Sequence, residues 1–149
     1  LAATGRATAL AMIAVALPVA AKEFRNSDVH PADYPTVMAV NYMSEIISKK
    51  TNGKHTIKTY VGGTLGSEKD TIEQTKLGGL DLVRINVAPM NNIVPETMVP
   101  TMPFLFRSKE HMRKLFDGPI GVDIFKASEA QGFVCLAFFV SDARSQYTV

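Results

Sequence analysis

The sequence predicts one α/β domain with a mainly parallel sheet flanked by helices. Strand-like apolar runs alternate four times with segments of helical periodicity, which is typical of parallel sheets. The run "LDLVRINV" (residues 80–87) is rich in aliphatic residues, as a strand covered on both faces requires. The chain has 149 residues, of which 46% are hydrophobic, so it can bury one hydrophobic core.

The first half of the chain should form two strands and two helices. "FRNSDV" begins a short strand, and "HTIKTYV" alternates polar and apolar residues as a second strand would. Between them, Asp33 is expected to cap a helix that ends at "TNGK". Ser67 with Asp70 resembles a capping box for the second helix, in which Ile72 and Leu77 should face inward.

The second half should add three further strands and two helices. After the strand at residues 80–87 comes a proline-punctuated stretch, and then a helix that Ser108 caps. Another helix should run from about Pro119 to Gln131. "FVCLAFFV" (residues 133–140) is apolar throughout and predicts a buried strand, and "SDARSQYTV" enters another.

Composition argues against several classes of function. The formal net charge is +2, Lys and Arg are scattered, and Trp is absent, so no nucleic-acid partner is expected. Cys135 is the single cysteine and no Cys/His ligand spacing occurs, so neither a metal nor another cofactor is expected. No nucleophile, base and orienting group can be drawn together, so the sequence does not predict an enzyme.

Residues 1–21 have the pattern of a signal peptide. Arg6 precedes an apolar run from Ala7 to Val19, and small residues then lead to an expected cleavage after Ala21. The run is shorter than the ~20 apolar residues that span a membrane. An uncleaved anchor or a buried helix is the alternative. We therefore expect residues 22–149 to form the folded domain.

Polar residues that follow the predicted strands are the candidates for a binding site. Open α/β sheets bind ligands beyond the carboxyl ends of their strands. The residues singled out at these positions are Asp28, His30, Asn86, Asn91 and Arg144.

Arg144 is the strongest candidate for contact with an anion. It follows the most apolar strand, and its planar guanidinium matches a carboxylate. The alternative for Arg144 is a solvated or internally paired residue. Asn86 can donate to a hydroxyl or carboxylate, or be satisfied by backbone, and His30 before Pro31 can equally be a turn residue.

Two further features near these residues are expected to be structural. Arg84 lies on the same strand face as Asn86 but deeper, and should form an internal ion pair with Asp81 or with a neighbouring helix. "GGTLGSEKD" lacks the G-K-[ST] ending of a phosphate-binding loop, so it is interpreted as a tight turn without a ligand.

Several linked motifs resemble the solute receptors of tripartite ATP-independent periplasmic (TRAP) transporters. They are "LGSEKDTIEQ", "GGLD", "VPE", "PFLF", "DGPIG" and the strand that leads into "DARS", in that order along residues 22–149. The resemblance implies a periplasmic receptor with two α/β domains around a cleft that closes by a hinge. It implies delivery of an organic acid, such as a C4-dicarboxylate, sialic acid or a sugar acid, to TRAP membrane permease subunits.

The resemblance also implies roles for individual residues. Arg144 matches a cleft arginine, Asn86 a polar cleft position, and the segment from Asp28 to His30 a loop that lines the cleft. "HPADYPT" resembles a subgroup associated with sugar acids. Members of the family are considerably longer and are expected to act as monomers when full length. The chain should therefore be an N-terminal fragment, without the principal carboxylate arginine and most of the second domain.

Two other functions remain open from the residues alone. One is an α/β enzyme that acts on a small anionic substrate, against which the missing catalytic triplet and phosphate loop count. The other is a membrane-anchored interaction domain, against which the short apolar run ending near Pro18 counts.

Overall fold

The structure, a computed structural model, describes residues 20–140. Within this range the sheet has three strands, all parallel, in the order β2-β1-β3. The predicted α/β class with a parallel sheet is confirmed. The strands are β1 (Lys22–Ser27), β2 (His55–Tyr60) and β3 (Leu82–Val83).

The central strand β1 fixes the register of the sheet. It pairs with β2 along its whole length, from Lys22 opposite His55 to Ser27 opposite Tyr60. On its other side only Asn26 and Ser27 pair with β3. The carboxyl ends of the three strands therefore lie at one edge of the sheet, which is where the predicted polar residues emerge.

Helices and short turns connect and follow the strands. Within residues 20–140, no helix is both long enough and apolar enough to cross a membrane. Two 3-10 turns, Ala88–Met90 and Pro95–Thr97, form the segment after β3. The helices are α1 (Pro35–Lys50), α2 (Glu68–Lys76), α3 (Met98–Thr101), α4 (Lys109–Phe116) and α5 (Pro119–Ala130).

The helix starts at α2 and α4 follow the predicted caps. The Ser67 hydroxyl accepts a hydrogen bond from the backbone N–H of Asp70 at 3.3 Å, and the Asp70 carboxylate accepts one from the backbone N–H of Ser67 at 2.9 Å. The hydrogen bonds from Ser67 lower the pKa of Asp70 below its usual value. The Ser108 hydroxyl accepts from the backbone N–H of His111. Both predicted caps are confirmed.

Two local predictions about the helices are wrong. Asp33 does not cap α1, because Tyr34 occupies the cap position without a side-chain hydrogen bond. The hydroxyl of Thr36, in the first turn, instead donates to the buried carboxylate of Asp28. Leu77 is 85% exposed rather than inward-facing, since α2 ends at Lys76 and Leu77 already lies in its C-cap.

The strand predicted at residues 80–87 is reduced to the two residues of β3. Arg84 still donates its backbone N–H to Ser27, but the backbone N–H of Asn86 donates to the Glu68 carboxylate at 2.7 Å. A side chain from α2 therefore takes the hydrogen bond that a strand neighbour would have taken. Pro89 follows and has no N–H to continue a ladder.

The strand predicted at residues 133–140 is also absent. A strand needs neighbours for its backbone groups, and β3, the strand beside β1, offers only two residues. Phe138 instead packs on the helices, with ring centroids 4.1 Å from Phe116 and 4.9 Å from Phe125. The strand expected in "SDARSQYTV" lies outside the described residues.

The core joins α2 to the segment after β3. Ile72 of α2, Met90 and Val94 are buried against one another, and Ile85, Ile93, Ala127 and Phe133 pack around them. A second group, Val37 and Val40 of α1 with Ile57 of β2, is also buried. The first group holds the start of α2 against the end of β3, which is where the candidate site lies.

Gly121 allows the close approach of α4 and α5. A Cβ at this position would lie 1.9 Å from the carbonyl oxygen of Phe116, which is backbone and has little freedom to move. We expect Gly121→Ala to lower the free energy of unfolding by about 2–4 kcal/mol in urea denaturation. Lys126→Ala, exposed on the same helix, is the control and should stay within about 0.5 kcal/mol of wild type. Equal stability of the two variants would contradict this packing.

Candidate functional site

Five polar side chains meet where β1 and β3 end and α2 begins. Asp28 and His30 follow β1, Arg84 and Asn86 follow β3, and Glu68 is the first residue of α2. Their contacts form one connected network, which we call the strand-end cluster. The parallel topology brings these segments together, because all strands finish at the same edge of the sheet.

Asp28 is the buried anchor of the strand-end cluster. Its side chain has no solvent exposure. Oδ1 accepts from the backbone N–H of His30 at 3.0 Å and lies 2.7 Å from Nδ1 of the same residue. Oδ2 accepts from the hydroxyl of Thr36 at 3.2 Å. A buried carboxylate requires such partners, and they fix the loop from β1 to α1.

Glu68 fastens the end of β3 to the start of α2. Its Oε1 accepts from the backbone N–H of Asn86 at 2.7 Å and from the Asn86 side-chain amide at 2.8 Å. The carboxylate also sits in the first turn of α2, where the helix dipole favours negative charge. The side chain keeps 15% exposure, so Glu68 is partly accessible to solvent.

Arg84 lies between the two carboxylates. Its Nη1 nitrogen is 3.9 Å from Oδ1 of Asp28, 3.7 Å from Oε1 of Glu68 and 3.0 Å from Nδ1 of His30. The Arg84 side chain is 8% exposed. The predicted internal ion pair with a neighbouring helix is confirmed through Glu68. Two carboxylates thus share one guanidinium in a largely buried place.

Asp81 has other partners than Arg84. Its carboxylate forms an ion pair with Lys22 at 2.5 Å and accepts from the backbone N–H of Arg25 at 2.9 Å. Lys22, and then the N–H of Arg25, hold the pKa of Asp81 below its usual value. This pair ties the residue before β3 to the start of β1.

The glycine-rich turn after β2 supports the loop that carries Asp28 and His30. Gly62 donates its N–H to the carbonyl of His30 at 2.8 Å, and Gly63 donates to the carbonyl of Asp28 at 3.3 Å. Both glycines have positive φ, 66° and 69°, which side-chain-bearing residues rarely adopt. The turn therefore works through its backbone, by holding the loop above β1.

The predicted site residues fall into three groups. Asp28, His30 and Asn86 come together in the strand-end cluster. Asn91 lies in a different network, where its amide donates to the Thr101 hydroxyl and its carbonyl oxygen accepts from Thr97. Arg144 lies outside the described residues.

Glu68 is the cluster residue that the sequence analysis missed. Its local pattern indicated only the first turn of a helix behind the Ser67 cap. The position of Glu68 could have indicated its role, because the first turn of a helix that follows a strand lies near the carboxyl ends of the strands. Within residues 20–140, no group of three or more His, Cys, Asp or Glu side chains is placed to hold a metal ion.

A sequence model of the bacterial extracellular solute-binding proteins, family 7, matches residues 26–149. The chain belongs to this family. A family member from Chromohalobacter salexigens, a solute-binding protein, is 34% identical over 138 residues, which cover 93% of this chain and 41% of that protein.

Solved structures of the family share the fold. A TRAP periplasmic solute binding protein from Xanthobacter autotrophicus Py2, with bound β-D-galacturonate, superposes with a TM-score of 0.76 at 54% identity. The match covers 78% of this chain and 39% of that protein. One from Bradyrhizobium sp. btai1, in complex with α/β-D-galacturonate, gives a TM-score of 0.73 at 53% identity and covers 76% and 38%.

These comparisons confirm the resemblance and the predicted fold of the periplasmic-binding-protein type. Members of family 7 are periplasmic binding proteins. The chain spans about two fifths of the length of these three relatives, from 38% to 41%.

The hydrogen bond from Thr36 to Asp28 provides a direct test of the cluster geometry. Thr36→Val keeps the side-chain shape and removes the donor to Oδ2 of a fully buried carboxylate. We expect the free energy of unfolding to fall by about 1–3 kcal/mol. Thr64→Val, on the exposed glycine-rich turn, is the matched control and should change it by less than about 0.5 kcal/mol. Two indistinguishable urea unfolding curves would show that the carboxylate does not depend on Thr36.

Proposed function

We propose that this chain is part of an extracytoplasmic receptor that binds a sugar-acid anion and delivers it to TRAP membrane permease subunits. The observation that carries the proposal is the identity of 54% and 53% to two receptors that hold galacturonate. The proposed ligand is therefore a hexuronate, a sugar with one carboxylate and several hydroxyl groups.

The charges of the strand-end cluster favour a sugar acid over a C4-dicarboxylate. Asp28 and Glu68 contribute two negative charges and Arg84 one positive charge, so with a neutral His30 the four side chains carry a net charge of −1. A second ligand carboxylate near this cluster would meet net repulsion. Sugar hydroxyls, in contrast, can donate to a partly accessible carboxylate such as Glu68.

The ligand carboxylate needs a cation that the cluster does not already neutralise. We propose Arg144 for this role, since its guanidinium can bind a carboxylate through two parallel hydrogen bonds. Asn86 and His30 would contact the ligand beside it, and Asp28 would hold His30 in place. The amide of Asn91 is engaged by two threonines, so we assign it to the stability of its own loop.

The remaining parts of the proposal concern the location and use of the receptor. Residues 1–21 would act as a signal peptide cleaved after Ala21, which would bring the domain to the periplasm. The receptor would work as a monomer at full length. It would bind its solute without altering it, as expected of a member of a solute-binding family.

Calorimetry on the receptor of full natural length tests the ligand class. Galacturonate and glucuronate should bind, and succinate should bind at least about tenfold more weakly, which corresponds to about 1.4 kcal/mol. Arg144→Ala should weaken uronate binding by about 10- to 150-fold, because a charge-assisted hydrogen bond contributes about 1.5–3 kcal/mol. Arg144→Lys should restore it only in part.

The control variant is Arg107→Ala, which removes an exposed arginine before α4 and should leave uronate affinity unchanged. Preference for succinate over both uronates would contradict the proposed ligand class. Unchanged uronate affinity in Arg144→Ala would contradict the role of that arginine while leaving the ligand class standing.

A further inference from the structure

One nitrogen of His30 makes two contacts that require opposite protonation states. Nδ1 lies 2.7 Å from Oδ1 of Asp28 and 3.0 Å from Nη1 of Arg84. A hydrogen bond to Asp28 needs a proton on Nδ1, whereas a hydrogen bond from Arg84 needs a lone pair there. The two bonds cannot form together, so the presence or absence of a proton on Nδ1 decides which of them exists.

Charged and aromatic side chains surround the imidazole of His30. Asp28 and Arg84 face Nδ1, and Glu68 stands behind Arg84 at 3.7 Å. The ring of Tyr34, at the start of α1, stacks on the imidazole with centroids 4.1 Å apart, which fixes the ring plane. Among residues 20–140, Nε2 has no hydrogen-bond partner, and the side chain is 22% exposed.

The charge of the cluster changes with the proton on His30. With a neutral imidazole, the charges of Asp28, Glu68 and Arg84 sum to −1, which disfavours an incoming anion. An imidazolium brings the sum to zero. It also donates from Nδ1 to Asp28 while it keeps the Nε2–H donor that the neutral ring with an unprotonated Nδ1 already has.

We propose that His30 takes up one proton from solvent when the receptor binds its carboxylate ligand. This inference rests on the proposed function. In the bound state Nδ1–H donates to Asp28, Nε2–H donates to the ligand, and Arg84 shifts from the imidazole toward Glu68. In the ligand-free state Arg84 donates to the unprotonated Nδ1.

The sign of the pH dependence follows directly. Because the complex holds more protons than the free receptor, affinity is greatest at low pH and falls as pH rises through the range in which histidine titrates. Carboxylic acids titrate well below this range, so the charge of the ligand stays constant. One linked proton changes affinity by at most about tenfold per pH unit.

Isothermal titration calorimetry measures this linkage on the receptor of full natural length, with D-galacturonate as the probe. Titrations at pH 7 in buffers of different ionisation enthalpy give the number of protons taken up. We expect net uptake of up to one proton, and Kd values that increase by roughly three- to tenfold from pH 6 to pH 8.

Two variants assign the proton to His30. His30→Asn keeps a side-chain donor near Asp28 and removes the titrating ring, so its proton uptake should vanish and its Kd should no longer vary between pH 6 and pH 8. His111→Asn, which alters an exposed histidine at the start of α4, should retain the wild-type uptake and pH profile.

The outcomes separate this inference from the function on which it rests. Tight, pH-independent galacturonate binding with no buffer-dependent enthalpy would overturn the proton uptake and leave the proposed function intact. Undiminished uptake in His30→Asn would assign the proton to another group and overturn the role of His30. Absence of binding by any organic acid at any pH would overturn both.

Discussion

The shared ion pair of Arg84 with Asp28 and Glu68 is the interaction on which the strand-end cluster depends. It connects three segments that are far apart in sequence, namely the end of β1, the start of α2 and the end of β3. A guanidinium that is 8% exposed needs carboxylate partners, and a fully buried carboxylate needs donors. Each charge therefore offsets the desolvation cost of burying the others. Removal of one partner would leave an uncompensated charge.

This arrangement explains why the chain leaves the sheet so early after β3. One oxygen of Glu68 accepts from the backbone N–H and from the side-chain amide of Asn86, so the backbone turns toward α2 instead of continuing beside β1. The hydrophobic contact of Ile72 with Met90 and Val94 also holds α2 against the segment after β3. Polar and apolar contacts thus fix one geometry, with the polar side chains at the edge of the sheet where ligands of this fold class bind.

The sequence was informative where structure depends on neighbours along the chain. The Ser67–Asp70 capping box, the Ser108 cap and the order of strands and helices followed from local chemistry. Prediction from the sequence failed where a residue distant along the chain determines the local structure. Residues 80–87 have the pattern of a full strand, but Glu68 accepts the backbone N–H of Asn86 and the strand ends before it. Residues 133–140 have the pattern of a core strand, although no described strand pairs with them. Glu68 itself carries no local mark of its role, since an acidic residue in a first helical turn is ordinary.

Arg84 and Asp28 should behave as one energetic unit, and a double-mutant cycle measures this coupling directly. Urea unfolding of wild type, Asp28→Asn, Arg84→Gln and the double variant gives the coupling free energy in the receptor of full natural length. We expect each single variant to be strongly destabilised and the double variant to recover at least about 1 kcal/mol of the summed loss. Effects that add within about 0.5 kcal/mol would contradict this coupling, because the two charges would then be buried independently of each other.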